Sequence, residues 1–282
     1  SVYQSTFNYL KERPDVIYPC VDLSFQNIEE KDKKLLESIL GPKANFYLSI
    51  NRYERKKNIN LALEAFAMSN ERYNPNSKLV ICGGYDERVR ENVEYLKELQ
   101  QVADELNLSN TTIFYPSLER SAGLEKLNVA GKKVIFLTSI SSSLKELLLS
   151  KTELLLYTPS FEHFGIVPLE AMKHGKPVLA VNTGGPLETV ESLIKGANEA
   201  FATGWLRKAE PKEWANAIDE YRCVSDGKVV DFAHSGPIRV EKIFSREAMT
   251  QSFTQNIQRF IDSNRKHYMW ESLSVDFFNL LL

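Results

Sequence analysis

Short unbroken apolar runs alternate along this chain with stretches in which apolar residues recur every three or four positions. The runs Phe46–Ile50, Leu79–Cys82, Thr112–Tyr115, Val134–Leu137, Leu154–Tyr157 and Pro177–Val181 read as strands. Between them the spacing predicts helices. Leu61, Ala65 and Met68 share one face, and from Asp86 to Leu106 the residues Val89, Val93, Leu96, Leu99, Ala103 and Leu106 do the same. Ser142–Leu149 is a short helix with capping serines at its start. Pro168–His174 is another, with Pro168 at the first helical position and Gly175 as its stop. Further helices are predicted near Pro186–Ile194, Lys212–Tyr221 and Ser245–Asp262, whereas residues 117–133 and 225–243 read as loops. Strands that are apolar throughout are buried on both faces, which predicts an α/β fold with a doubly wound, Rossmann-like parallel sheet between helices. Ligands in such folds lie beyond the carboxyl ends of the strands, so the residues just after each strand carry the chemistry.

Composition narrows the class. Of 282 residues, 43% are hydrophobic and 26% charged, the balance of an ordinary globular protein. The net charge of −2 argues against a nucleic-acid partner, which would need a basic face, but leaves room for a basic pocket around one small anion. The three cysteines, Cys20, Cys82 and Cys223, have no metal-binding spacing and make a poor disulfide framework. Cys82 reads as a buried thiol in a reducing compartment. Ser1–Leu10 lacks the apolar core of a signal peptide, and no apolar run reaches eighteen residues. Ser272–Leu282, SLSVDFFNLLL, reads either as an amphipathic turn docked on the body or as an interfacial membrane segment, the start of a longer apolar region.

Four strand ends stand out. Asn51–Asn58, NRYERKKN, is half basic, and Arg52 and Lys57 there would either grip a diphosphate or belong to a solvated loop. Gly83-Gly84 allows a tight turn or a close backbone approach, but is no dinucleotide fingerprint. The stretch Tyr157–Met172, YTPSFEHFGIVPLEAM, is the densest. Its turn at Gly165 leaves the amides of Gly165 and Ile166 free for an anion or sugar hydroxyls. Glu162 beside Phe161 and Phe164 has no packing role. Glu170 reads either as a ligand contact or as a carboxylate favoured by the helix dipole in the first turn. His163 reads as a structural histidine or a proton shuttle. Gly184-Gly185-Pro186-Leu187-Glu188 opens a helix and either leaves room for a ligand at its backbone or is a plain helix start. A phosphatase or kinase of another class is disfavoured, because no GxxxxGK[ST] loop or acidic metal cluster occurs.

Together these segments resemble the C-terminal half of family 4 retaining glycosyltransferases of the two-Rossmann GT-B architecture. The elements are Glu162 with Glu170 (E-x7-E), Arg52 with Lys57, Gly83-Gly84, and Gly184-Gly185-Pro186-Leu187-Glu188. SINRYERKKN, VICGGYDERVRENVEYLKEL, LYTPSFEHFGIVPLEAM and AVNTGGPLETV are similar to a fungal branch of that family, over residues 5–282. That branch adds α-1,3- and α-1,6-linked mannose to dolichol-pyrophosphate-linked Man1GlcNAc2. The resemblance implies GDP-mannose as donor, no metal or other cofactor, and work at the cytosolic face of the endoplasmic reticulum membrane beside other mannosyltransferases of the pathway. It makes Arg52 and Lys57 the diphosphate contacts, Glu162 the contact of the donor mannose and Glu170 that of the ribose. The backbone at His163, Phe164, Gly165 and Ile166, with Gly184, Gly185 and Glu188, would complete the donor site. Asn58 stands where many relatives have Gly, and Tyr18–Asp22 resembles the interdomain linker without its glycine. By the same resemblance residues 1–22 end an acceptor domain and linker, 23–266 form the nucleotide-sugar domain and 267–282 an apolar tail. The chain is then expected to be a donor half, with the acceptor bound by an N-terminal domain. The alternative is a non-catalytic nucleotide-sugar-binding or interaction module of the same fold.

Overall fold

The structure, a computed structural model, describes residues 15–41, 45–120, 129, 131–227 and 229–279, without the side chains of 118–120 and 264–279. Among the described residues, seven strands form one sheet: β1 (Asn45–Ile50), β2 (Ser77–Gly83), β3 (Asn110–Phe114), β4 (Val134–Thr138), β5 (Leu154–Tyr157), β6 (Val178–Val181) and β7 (Gly204–Arg207). Every pairing is parallel, in the order β3-β4-β2-β1-β5-β6-β7. Leu48 of β1 faces Val80 on one side and Leu155 on the other, and all three are fully buried. The neighbouring Tyr47, Leu79, Leu154 and Leu179 are equally buried on the opposite face. Helices on both faces account for the apolar runs.

The helices are α1 (Glu30–Leu40), α2 (Asn60–Met68), α3 (Arg90–Glu105), α4 (Tyr115–Arg120), α5 (Ser142–Lys151), α6 (Ile166–Lys173), α7 (Pro186–Thr189), α8 (Pro211–Asp226), α9 (Phe232–Phe244) and α10 (Arg246–Asn279). On one face, α2 packs against α8, and Trp205 and Tyr47 each set an edge against the ring of Tyr221 at 6.2 Å. On this face Trp214 of α8 is fully buried too. The chain divides into two compact units, Leu23–Val240 and Ser1–Asp22 with Glu241–Leu282. The first holds the sheet. In the second, Val21 donates its N–H to the Phe244 carbonyl at 2.9 Å, Tyr18 stands edge-on to Phe244, and Arg259 pairs with Asp15 at 2.7 Å. No helix among the described residues is long and apolar enough to cross a membrane.

Several elements depart from the sequence reading. β7 and α1 were not expected, and the stretch 225–243 contains α9 rather than a loop. Tyr115 leaves the third strand to begin α4, so 117–133 starts as helix, while 121–128 and 130 lie outside the described residues. α7 is a single turn, and α10 runs on to Asn279. The character of the tail's side chains lies outside the described residues. Met68 is 56% exposed while Leu61 and Ala65 are buried, because the buried arc of α2 is centred on Ala62 and Phe66 and Met68 falls outside it. α6 begins at Ile166, so Pro168 is its third residue, where a missing N–H still costs no helical bond. Glu170 is then the fifth, beyond the first turn and its dipole.

Candidate active site

The strand order reverses between β1 and β5: from β1 the sheet runs to β2, β4 and β3 on one side and to β5, β6 and β7 on the other. The segments leaving these two strands diverge and open a crevice at the carboxyl end of the sheet. After β1 the chain makes a short 3-10 turn over Arg55–Lys57 that ends at Asn58 in the left-handed conformation, φ 49° and ψ 43°. Asparagine tolerates that conformation better than most residues. The loop is anchored from below. Tyr53 is fully buried, its hydroxyl 3.1 Å from the carbonyls of both Ile81 and Leu137, and Asn92 donates to the Tyr53 carbonyl at 3.0 Å.

Only part of the basic cluster turns toward the crevice. Arg55 pairs with Glu98 on α3, and Lys56 with Glu54 at 3.0 Å. Arg52, 62% exposed at its side chain, rests on Glu54 at 3.0 Å. Lys57 reaches across the switch point to Glu162 of the loop after β5, Nζ to Oε2 at 2.7 Å, and both side chains are mostly buried. The crossing is braced by Thr158, the first residue after β5, whose hydroxyl donates to the Lys57 carbonyl at 2.7 Å. Burial pushes the Glu162 carboxyl up, but the Lys57 ammonium, the Tyr157 hydroxyl and the His163 amide pull it further down, and the net shift is downward. Burial and the Glu162 charge keep the Tyr157 phenol protonated and available as a donor. The pair presents a fixed carboxylate beside a fixed cation, a suitable arrangement for a sugar hydroxyl next to a phosphate.

The loop carrying Glu162 is shaped by glycines. Gly165 has φ 83° and caps α6, and a Cβ there would lie 3.2 Å from the Tyr157 ring. The amides of Gly165 and Ile166 stand at the open N-terminus of α6. Gly184 and Gly185, which the sequence offers either as room for a ligand at the backbone or as a plain helix start, lie close against the neighbouring loop. A Cβ at Gly184 would meet the Glu162 carbonyl at 2.5 Å, and one at Gly185 would meet the Phe164 carbonyl at 2.3 Å. The Gly185 N–H donates to the Glu162 carbonyl at 2.7 Å, so these glycines seat the Glu162 loop against the loop after β6. Gly83 has a similar use, since its Cβ would lie 1.9 Å from the Asn51 carbonyl of β1's end, and Gly84 lies under the Arg52 side chain. His163 is exposed, with no side-chain hydrogen bond among the described residues, and Glu188 is exposed in α7. Glu170 points to another lysine, Lys145 of α5.

The geometry thus brings Lys57, Glu162, Gly165, Gly184 and Gly185 together, with Arg52 and Gly84 paired at the same end of the sheet. Sequence reasoning missed Thr158, Tyr157 and Lys145. The first two directly flank a strand end and could have been found there; Lys145 lies in an apolar helical run and gave no signal. The family model of glycosyl transferases group 1 matches residues 30–222, the whole of this sheet and its site. The chain belongs to the group 1 glycosyl transferases.

Within the family, this glycosyl transferase is 58% identical over all 282 residues to the α-1,3/1,6-mannosyltransferase ALG2 of Saccharomyces cerevisiae, covering 56% of that protein. It is 54% identical over 92% of its length to the enzyme of the same name from Candida glabrata, again covering 56% of the relative. The chain therefore spans about half the length of the curated relatives it matches. Among solved structures, sucrose-phosphate synthase from Thermosynechococcus elongatus aligns with a TM-score of 0.66 at 21% identity, over 93% of this chain and 56% of that one. HepE from Anabaena, in complex with UDP-glucose, aligns with a TM-score of 0.61 at 24% identity, over 91% and 61%. These likenesses show the GT-B type of fold expected from the sequence.

Proposed function

We propose that this chain is the donor-binding half of a retaining mannosyltransferase that moves mannose from GDP-mannose to dolichol-pyrophosphate-linked Man1GlcNAc2, forming α-1,3 and α-1,6 linkages. The carrying observation is the Lys57–Glu162 pair across the β1/β5 switch point. Glu162 accepts hydrogen bonds from hydroxyls of the donor mannose. Lys57 keeps two of its three N–H donors for the diphosphate, and Arg52, exposed on a flexible stem, swings to the same anion. Cations placed where negative charge develops stabilise the departing GDP. The bond from the anomeric carbon to phosphate breaks as the bond to the acceptor oxygen forms on the same face. The acceptor proton passes to the leaving phosphate. The reading takes no metal ion, and the acceptor lies on the part of the enzyme that this chain does not span.

Calorimetric titration of the chain with GDP-mannose, GDP and UDP-glucose tests the donor. Binding of the two guanine ligands is expected, and failure of both would remove the reading. In the complete enzyme, Glu162→Ala is expected to leave less than about a hundredth of the transfer rate while keeping the fold. Full activity would take Glu162 out of the site. Work at the cytosolic face of the endoplasmic reticulum membrane has its own check. Asn107-Leu108-Ser109 and Asn110-Thr111-Thr112 are both glycosylation sequons. Mass spectrometry of protein from a eukaryotic cell should find both bare, and glycan on either would contradict that location.

A further inference from the structure

Each of the two carboxylates flanking the Gly165 turn is held by a lysine from another element. Glu162 is held by Lys57, as described. Glu170 is held by Lys145, whose Nζ lies 2.7 Å from Oε1 and 2.6 Å from Oε2. Lys145 is the fourth residue of α5, and the start of that helix is rigidly set. The Ser141 side chain accepts from the Leu144 N–H and donates to Asp32, each at 3.0 Å. Asp32 is itself 1% exposed and takes a second hydrogen bond from the Tyr115 hydroxyl at 2.8 Å. Glu170, past the first turn of α6, receives no capping amide and little of the dipole, so its orientation depends on Lys145. A carboxylate offers about four lone-pair sites. The ammonium lies astride both oxygens; Oε2 is buried with no other partner among the described residues, which leaves Oε1 as the oxygen that can meet a ligand hydroxyl.

We infer that Lys145 is a positioning residue of the donor site, fixing Glu170 so that its Oε1 receives the hydroxyls of the nucleotide ribose. This rests on the reading of Glu170 as the ribose contact. The rival role for the pair is a brace between α5 and α6 that has nothing to do with the ligand.

The test is the binding of GDP and of 2′-deoxy-GDP to the chain, measured by calorimetry for the unaltered protein and for Glu170→Ala, Lys145→Met and Lys145→Arg. The unaltered chain is expected to prefer GDP by about tenfold, the worth of a hydrogen bond to a charged group. Glu170→Ala should erase the preference, Lys145→Met should erase most of it, and Lys145→Arg should restore it. If Lys145→Met weakens both ligands equally and the preference survives, while Glu170→Ala erases it, Lys145 is only a brace and the inference falls with the ribose reading intact. If Glu170→Ala leaves the preference unchanged, the ribose reading fails and takes the inference with it. Should Lys145→Met not fold, Lys145→Gln, checked by circular dichroism, takes its place with the same expected loss of preference.

Discussion

Lys57 and Glu162 are separated by 105 positions in the chain, yet their pairing sets the charge of the crevice. The net downward shift of Glu162 has a consequence for stability. A carboxyl whose folded pKa lies below its unfolded value contributes stability above the unfolded pKa and loses it as pH falls through the folded one. Lys57→Met removes the pull of the ammonium and leaves burial to act. Urea melts should therefore show the variant less stable than the unaltered chain at about pH 7, with the gap narrowing toward about pH 4 and below as Glu162 takes up a proton. A gap independent of pH would mean that the pair is not ionised as described. Asn58 offers a second test next to Lys57. Its left-handed backbone should make Asn58→Val cost about 1–2 kcal/mol or more, while Asn58→Gly stays near neutral. Both residues were legible in sequence, Lys57 from its strand end and Asn58 as a departure from the family pattern. The partner of each cation was not legible, because Arg55 finds Glu98 and Lys57 finds Glu162 only once the chain is folded.

At the scale of elements, the contact between the loops after β5 and β6 decides whether the site forms. Gly185→Ala would press a methyl group onto the Phe164 carbonyl, at 2.3 Å before any shift. The loop must move, and overpacking of this kind costs about 1–3 kcal/mol. The expected result is a lower unfolding midpoint and a larger loss of GDP-mannose binding, since Glu162 moves with its loop. Gly196→Ala is the control: its φ of 79° makes it strained too, but nothing lies within 4 Å, so it should lower stability without touching binding. The strands most easily read were those buried on both faces, such as Leu79–Cys82, because a continuous apolar run has few other uses. β7 escaped because Gly204-Trp205-Leu206-Arg207 is short and has a glycine and an arginine at its ends. In α1, charged residues surround Leu35, Leu36 and Ile39 and mask the buried stripe. α9 contains Gly236 and Pro237, ordinarily marks of a turn. There Gly236 allows close approach to the end of α6, where a Cβ would meet the Met172 carbonyl at 2.7 Å. Local chemistry pointed to a loop, and tertiary packing made a helix.

For the whole molecule, the fold class and the position of the site followed from one regularity: in a parallel sheet, functional side chains collect where the strand order reverses. The strand order itself was not readable from the runs, since every strand is apolar and nothing local says that β1 lies between β2 and β5. The organisation of transfer also lies at this scale. The chain carries an intact crevice but spans 56% of the Saccharomyces cerevisiae relative. Glycosyl transfer between two bound molecules gains most of its rate from holding both in one geometry. A chain that holds the donor alone is therefore expected to bind GDP-mannose and yet transfer mannose to Man1GlcNAc2-pyrophosphate-lipid at no more than about a thousandth of the complete enzyme's rate. Radiolabelled donor with a synthetic lipid-linked acceptor, assayed beside calorimetric binding on the same preparation, separates the two properties. Binding without transfer fits a donor half. Transfer at the rate of the complete enzyme would require an acceptor site within Leu23–Val240 or the smaller unit, and the division of labour proposed here would have to be abandoned.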